Sequence, residues 1–181
     1  MIKLIIVISI LCLSFNNAKA DQNSPKLDLL FNELFQEKDI SRQNFIVNKI
    51  WDEWMQSENP DVQAIMNKMP VYFQSKNYNE AIAALSYVIE LEPNFSEAYN
   101  KRATFYFIIG EYEKSMMDIE TTLVLEPRHF GAMDGLSRIL IYFGQHKQAL
   151  KIYNEMKLLM PNDNSLDTKI NQLKELIYNN A

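Results

Sequence analysis

Leu91-Glu92-Pro93, Leu125-Glu126-Pro127 and Leu159-Met160-Pro161 decide the fold of this chain, because their prolines stand 34 residues apart twice in succession. Counting back from each proline gives three contiguous units, 62–95, 96–129 and 130–163, with no insertion or deletion. A period of this length marks an array of stacked supersecondary units rather than one globular core.

Aligning the units gives each position a physical reading. Their fourth residues are Ile65, Tyr99 and Met133, and their eleventh are Tyr72, Tyr106 and Leu140. The twenty-fourth are Leu85, Ile119 and Tyr153, and the twenty-seventh Val88, Thr122 and Met156. Large side chains three and four apart line one face of a helix. The eighth residues (Met69, Ala103, Ser137) and twentieth (Ala81, Ser115, Ala149) are mostly small, which lets the two helices of a unit approach closely. Between those helices stand Lys76-Asn77-Tyr78, Gly110-Glu111-Tyr112 and Gly144-Gln145-His146. Gly110 and Gly144 suit the left-handed residue that ends a helix. Asn77, with Glu80 three residues on, reads as a capping box. Each closing proline ends its unit, because it cannot continue a helix and pushes the preceding residue out of helical geometry.

The flanks read as caps, since an array of helix pairs needs its end faces covered. After Pro161, Asn162-Asp163-Asn164-Ser165 is a helix-start cluster; Leu166, Ile170, Leu173, Leu176 and Ile177 then make one stripe opposite Lys169, Lys174 and Glu175, a closing helix within 164–181. Before the units, 21–61 reads as a helical hairpin: Leu29, Leu30, Leu34 and Phe35 mark one helix. Phe45, Ile46, Ile50, Trp51, Trp54 and Met55 mark a second, opened by Ser41. Extending the frame backwards puts Val47, Trp51 and Trp54 at positions twenty, twenty-four and twenty-seven, with Pro60 one residue out of register. The segment 27–60 is thus a decayed repeat or an unrelated hairpin packed in the same place.

Residues 1–20 read as an address. Lys3 supplies a positive start, Leu4 to Phe15 an apolar stretch broken by Ser9 and Ser14, and Ala18-Lys19-Ala20 the small residues a signal peptidase reads. The stretch is short of the roughly 20 residues of a comfortable membrane span. Cleavage after Ala20 and residence in a bacterial periplasm are expected, with no stable span left in the mature protein. Cys12 would leave with that segment, so the body has no disulfide, thiolate nucleophile or Cys-based metal site. The balance moves from −5 to 16 basic against 23 acidic residues, −7, and no dense Lys/Arg run offsets it. Nucleic acid and anionic headgroups would be repelled.

Catalytic chemistry needs polar and titratable groups gathered together, and little here does that. The two histidines are His129, in the turn Pro127-Arg128-His129-Phe130, and His146, at the seventeenth position where the other units carry Tyr78 and Tyr112. Neither a glycine-rich phosphate loop, a His-x-x-x-His pair nor a Gly-x-Ser-x-Gly turn occurs. No catalytic residue, metal site or cofactor is expected. Arg128-His129-Phe130 is the cluster to follow: it could hydrogen-bond neighbouring helix ends or recognise an acidic group on a partner.

This pattern resembles the tetratricopeptide repeat, a helix–turn–helix of 34 residues, most closely in the middle unit through Tyr99, Ala103, Tyr106, Gly110, Tyr112, Ser115, Ile119 and Pro127. Departures are Pro70 inside the first helix of unit one, Met69 where a small residue is usual, and Arg102 where leucine is common. The resemblance implies an all-α, right-handed α-solenoid of antiparallel helix pairs: three repeats, a degenerate N-terminal pair and a C-terminal capping helix. It implies a non-catalytic adaptor whose concave face is lined by the second, fifth, ninth, twelfth and thirteenth residues of each unit. Unit one offers Gln63, Met66, Pro70, Phe73 and Gln74 there, unit two Glu97, Asn100, Thr104, Phe107 and Ile108, and unit three Gly131, Asp134, Arg138, Ile141 and Tyr142. Asn100, Thr104, Phe107, Ile108, Asp134, Arg138, Ile141 and Tyr142 are the candidate partner-binding residues, the large apolar ones as anchors and Asn100 and Arg138 as directional donors. Members that grip acidic C-termini of cytosolic chaperones use Lys and Asn, then Lys and Arg, at places held here by Met66, Pro70, Gly131 and Gly135. That clamp is missing. The expected partner is therefore a peptide or helix of a cell-envelope protein, the competing expectation being self-association through the end helices.

Overall fold

Turn chemistry cuts residues 24–179, the part that the computed structural model describes, into ten helices; the expected export segment 1–20 lies outside the described residues. The first pair is α1 (Pro25–Gln36) and α2 (Ile40–Trp54). Unit one contributes α3 (Pro60–Met66), α4 (Met69–Gln74) and α5 (Tyr78–Leu91), unit two α6 (Ser96–Ile108) and α7 (Tyr112–Leu125), and unit three α8 (Phe130–Tyr142) and α9 (His146–Leu159). A closing helix, α10 (Asn164–Asn179), packs on α9. Among the described residues there is no strand, and no helix is long and apolar enough to cross a membrane.

The same turn closes the first helix of every unit. The N–H groups of Asn77, Glu111 and Gln145 donate to the carbonyls of Tyr72, Tyr106 and Leu140, five residues back. This is the wide bond of a Schellman ending, and it needs a left-handed residue just before the donor. Gly110 and Gly144 supply it at φ 82° and 72°, while in unit one Lys76 is forced to φ 58°. Because the backbone sets this turn, the expected capping box is absent: Asn77 stands at the N-cap of α5, but its side chain makes no cap hydrogen bond. The second helices end on Glu92, Glu126 and Met160 at φ −131°, −135° and −129°, the extended geometry that the following proline imposes. Pro70 breaks the first helix of unit one into α3 and α4 and sits in the opening turn of α4, where a missing N–H costs nothing.

Small residues at positions eight and twenty bring paired helices together as expected: Ser115 Oγ donates to the Ala103 carbonyl at 2.8 Å. Val62, Met66, Met69, Ala81, Leu85, Val88 and Phe105 fill unit one and its seam with unit two. Ala103, Met116, Ile119, Ala132 and Ile139 fill the next seam. Arg102 departs from the expected leucine because its guanidinium grips Asp118 with two bonds of 2.7 Å and donates to Ser86 Oγ at 3.0 Å, tying α5, α6 and α7.

The hairpin α1–α2 packs far along the chain. Leu27, Phe31, Leu34, Ile46, Ile50 and Trp54 share one core with Phe130, Met133, Tyr153, Met160 and Leu166 of unit three and the closing helix. Trp54 stacks flat on His129, with ring centroids 4.0 Å apart and planes 10° from parallel. Trp51 lies against Gly131 so closely that a Cβ there would meet its ring at 2.4 Å. Arg128 reaches Asp28 at 2.6 Å, and the Asn162 amide donates to the carbonyls of Phe35 and Glu37 at 3.3 and 2.9 Å. The hairpin thus lies over the turns that open α8 and α10 and buries Leu27, Phe31, Leu34, Ile46, Ile50 and Trp54 there, while Leu29, Phe35 and Phe45 of the expected stripes stay exposed.

Candidate binding surface on the concave face

At the lower end of the concave face, where the first helices of the units begin, the polar groups are enclosed. His129 Nδ1 accepts the Ala132 N–H at 3.1 Å and so caps α8, which leaves Nε2 carrying the hydrogen it donates to Glu97 Oε2 at 2.9 Å. Both side chains are fully buried. Lys101 Nζ sits 2.9 Å from the other Glu97 oxygen, an ion pair, and also 5.3 Å above the Trp51 ring. Burial pushes the Glu97 carboxyl up, yet the His129 hydrogen bond and the Lys101 charge outweigh it and hold the group below the usual carboxylate range. Asn100 is buried and donates to Glu97 at 2.7 Å, so this candidate binding residue is spent on an internal contact.

The middle of the face is charged. Asp134 meets Arg138 at 2.7 Å and Lys169 of α10 at 2.6 Å, and accepts the Tyr153 hydroxyl at 3.2 Å. Burial would raise the Asp134 carboxyl, but the hydrogen bonds from Lys169 and Arg138 lower it further. Burial and the neighbouring Asp134 push the Tyr153 phenol up to about 12. Arg138 is exposed, and Thr104 is exposed with its hydroxyl returned to the Asn100 carbonyl at 3.0 Å.

The upper end is apolar and open. Phe107 is half-buried beside Tyr112, centroids 5.5 Å apart, and Tyr112 leans on Tyr142 at 4.7 Å. Ile141 is half-buried against the unit-three core. Ile108 is 37% exposed, Tyr142 63% and Phe73 54%. The eight candidate residues therefore divide: Phe107, Ile108, Ile141 and Tyr142 line the open end, Thr104, Asp134 and Arg138 the middle, and Asn100 is covered. Sequence reading placed Glu97 on this face but did not find Trp51 and Lys101 as its neighbours; the signal available was Gly131, a bare backbone at a groove position. Arg128-His129-Phe130 acts on helix ends within the chain, and the acidic group Arg128 meets across the fold is Asp28 of the hairpin.

A TPR repeat-containing protein of Rhizobium etli is 36% identical over 160 residues, covering 87% of this chain and 78% of its own. The chain belongs to the tetratricopeptide-repeat family. The family model, described as tetratricopeptide repeat, matches residues 84–116, from α5 into α7. Among solved tetratricopeptide-repeat structures, the first such domain of Spaghetti (RPAP3), bound to the HSP90 peptide SRMEEVD, superposes with a TM-score of 0.61 at 17% identity, covering 67% of this chain and 99% of that one. That likeness is one of fold, and it matches the right-handed α-solenoid that the family resemblance implies. Hsp70-Hsp90 organizing protein 3 of Arabidopsis thaliana is 27% identical over 90 residues, half of this chain but 16% of that protein.

Proposed function

We propose that this tetratricopeptide-repeat protein is a non-catalytic adaptor that holds a peptide or helix of a partner protein on the open upper end of its concave face. The observation that carries the reading is the division of that face. The chain's own Trp51 and Trp54 fill the lower end, while Ile108 and Tyr142 stay exposed at the other, beside half-buried Phe107 and Ile141. A fold that seals one end of its groove and leaves large apolar side chains at the other has a surface suited to an external guest. The guest differs from an acidic chaperone C-terminus: the basic clamp residues are absent, and Trp51 occupies the space over Gly131 where one of them would project. The adaptor works outside the cytoplasm, with a partner in the cell envelope. Supporting this are Lys3, the apolar stretch 4–15 and Ala18-Lys19-Ala20.

The test is site-specific photo-crosslinking from Tyr142 and Phe107 in intact cells, followed by identification of the adduct and pull-down with Phe107→Ala/Tyr142→Ala. Each true anchor is worth about 1–3 kcal/mol, so the folded double variant should lose the adduct's partner. Undiminished recovery by that variant refutes the surface.

A further inference from the structure

We infer that the partner segment is an α-helix bearing one apolar and one acidic edge, laid across α6, α8 and α10 alongside α2; this rests on the adaptor reading above. Two parallel rows on the concave face carry the inference. One is cationic: Lys101 on α6, Arg138 on α8 and Lys169 on α10, with side chains 30%, 61% and 35% exposed. The carboxylates beside them are withdrawn, Glu97 fully and Asp134 to 22%, so an approaching ligand meets the cations first. This positive row stands on a chain whose formal charge is −5. The other row is apolar: Phe107 and Ile108 on α6, Ile141 and Tyr142 on α8.

The spacing of the rows selects the ligand's backbone. Arg138 and Lys169 meet on Asp134, and Tyr142 follows Asp134 by eight residues on α8, about 12 Å along the axis at 1.5 Å per residue. That distance is the diameter of one helix with its side chains. A helix lying across the units presents two edges at this separation at once. An extended chain turns alternate side chains toward the surface in a single file and can meet only one row. The face already shows the mode, since α2 lies against the start of α8 through Trp51 on Gly131 and Trp54 on His129. The incoming helix would continue that interface, with Lys101, set over the Trp51 ring, between the two.

Three labelled synthetic peptides of about 15 residues, long enough to be partly helical, test this against the full-length protein by fluorescence anisotropy. One has a Leu/Phe stripe flanked by Glu, one replaces each Glu by Lys, and one carries a central proline in the Glu peptide. The Glu helix should bind, and affinity should fall about tenfold for the Lys peptide, for the proline peptide, and for Arg138→Gln or Lys169→Gln protein with unchanged circular dichroism. Added salt should weaken it. Equal binding of the Glu and Lys peptides, undiminished binding of the proline peptide, or no binding by any of them overturns the inference. If any bound peptide is still lost with Phe107→Ala/Tyr142→Ala, the apolar surface stands without the acidic helix; if that variant changes nothing either, both readings fall. A dimer of the protein that excludes the Glu peptide would make a second copy the occupant and also overturn it.

Discussion

Gly131→Ala separates the packing seen here from intrinsic helix preference, because the two predict opposite signs. Gly131 is the second residue of α8, and exchanging a helical glycine for alanine is worth up to about 1 kcal/mol in stability. The new methyl would stand 2.4 Å from Trp51 Cη2 and 2.9 Å from Cζ2, well inside contact distance. Trp51 cannot simply swing away, since its ring makes edge-to-face contacts with Trp54, His129 and Phe130 at 5.3, 5.5 and 5.3 Å. Overpacking of this kind costs about 1–3 kcal/mol, and each aromatic pair lost adds about 0.5–1.5. The net expectation is a destabilisation of about 1–2 kcal/mol, or a melting temperature about 3–6 °C lower for a chain of this length. Both tryptophans of the chain lie in α2, so intrinsic tryptophan emission reports on the hairpin alone and should shift to the red. In a Trp51→Ala background the same change should be neutral or stabilising. A raised melting temperature in the native background, or a penalty undiminished without the Trp51 ring, would refute the docking of α2 on α8.

Three further outcomes follow from pairings described above. Arg102→Leu, which restores the residue common in the family, should cost about 3 kcal/mol in urea unfolding, because it strands the buried Asp118 carboxylate; Arg102→Leu/Asp118→Leu should regain most of that. Glu97 and Asp134 have folded-state pKa values held below their unfolded ones, so the stability they add is present above the ordinary carboxylate pKa and lost as pH falls through the folded values. Unfolding measured from pH 7 downward should therefore steepen below about pH 4.5, and Glu97→Gln should flatten that slope. Lys76→Gly should stabilise by up to about 1 kcal/mol by thermal melt, since it relieves the left-handed φ that Gly110 and Gly144 bear without strain.

The 34-residue frame made the three helix pairs legible because each position is stated three times: large at four, eleven and twenty-four, small at eight and twenty, proline at the end. The hairpin's helices were legible too, from their apolar spacing. Its destination was not, because a stripe such as Ile46, Ile50 and Trp54 says only that something covers it. That choice was settled by Gly131, which leaves room for Trp51, and by His129, whose ring caps α8 on one side and carries Trp54 on its face. Arg102 read as an exception for a similar reason. Its partner Asp118 is sixteen residues away on α7, a spacing that no local rule pairs. Phe107, Ile108, Ile141 and Tyr142 were placed on the groove by repeat position alone, whereas the covering of Asn100 followed from the enclosed contacts of the lower end and could not be read that way.

Stacked repeats ordinarily come apart from their ends, each terminal pair held by a single neighbour. Here Asn162 of the last turn grips Phe35 and Glu37 of the first hairpin, so the two termini of the array clasp one another. Opening either end breaks the same seam, which couples the hairpin, units two and three and α10 into one cooperative block. The weak link moves inward, to the short broken helices α3 and α4 that the clasp passes over, and amide exchange should be fastest there. The clasp also sets an order of events during synthesis: α1 and α2 leave the ribosome first, but the helices that receive them leave last. Trp51 and Trp54 therefore have no seat until α8 has been made.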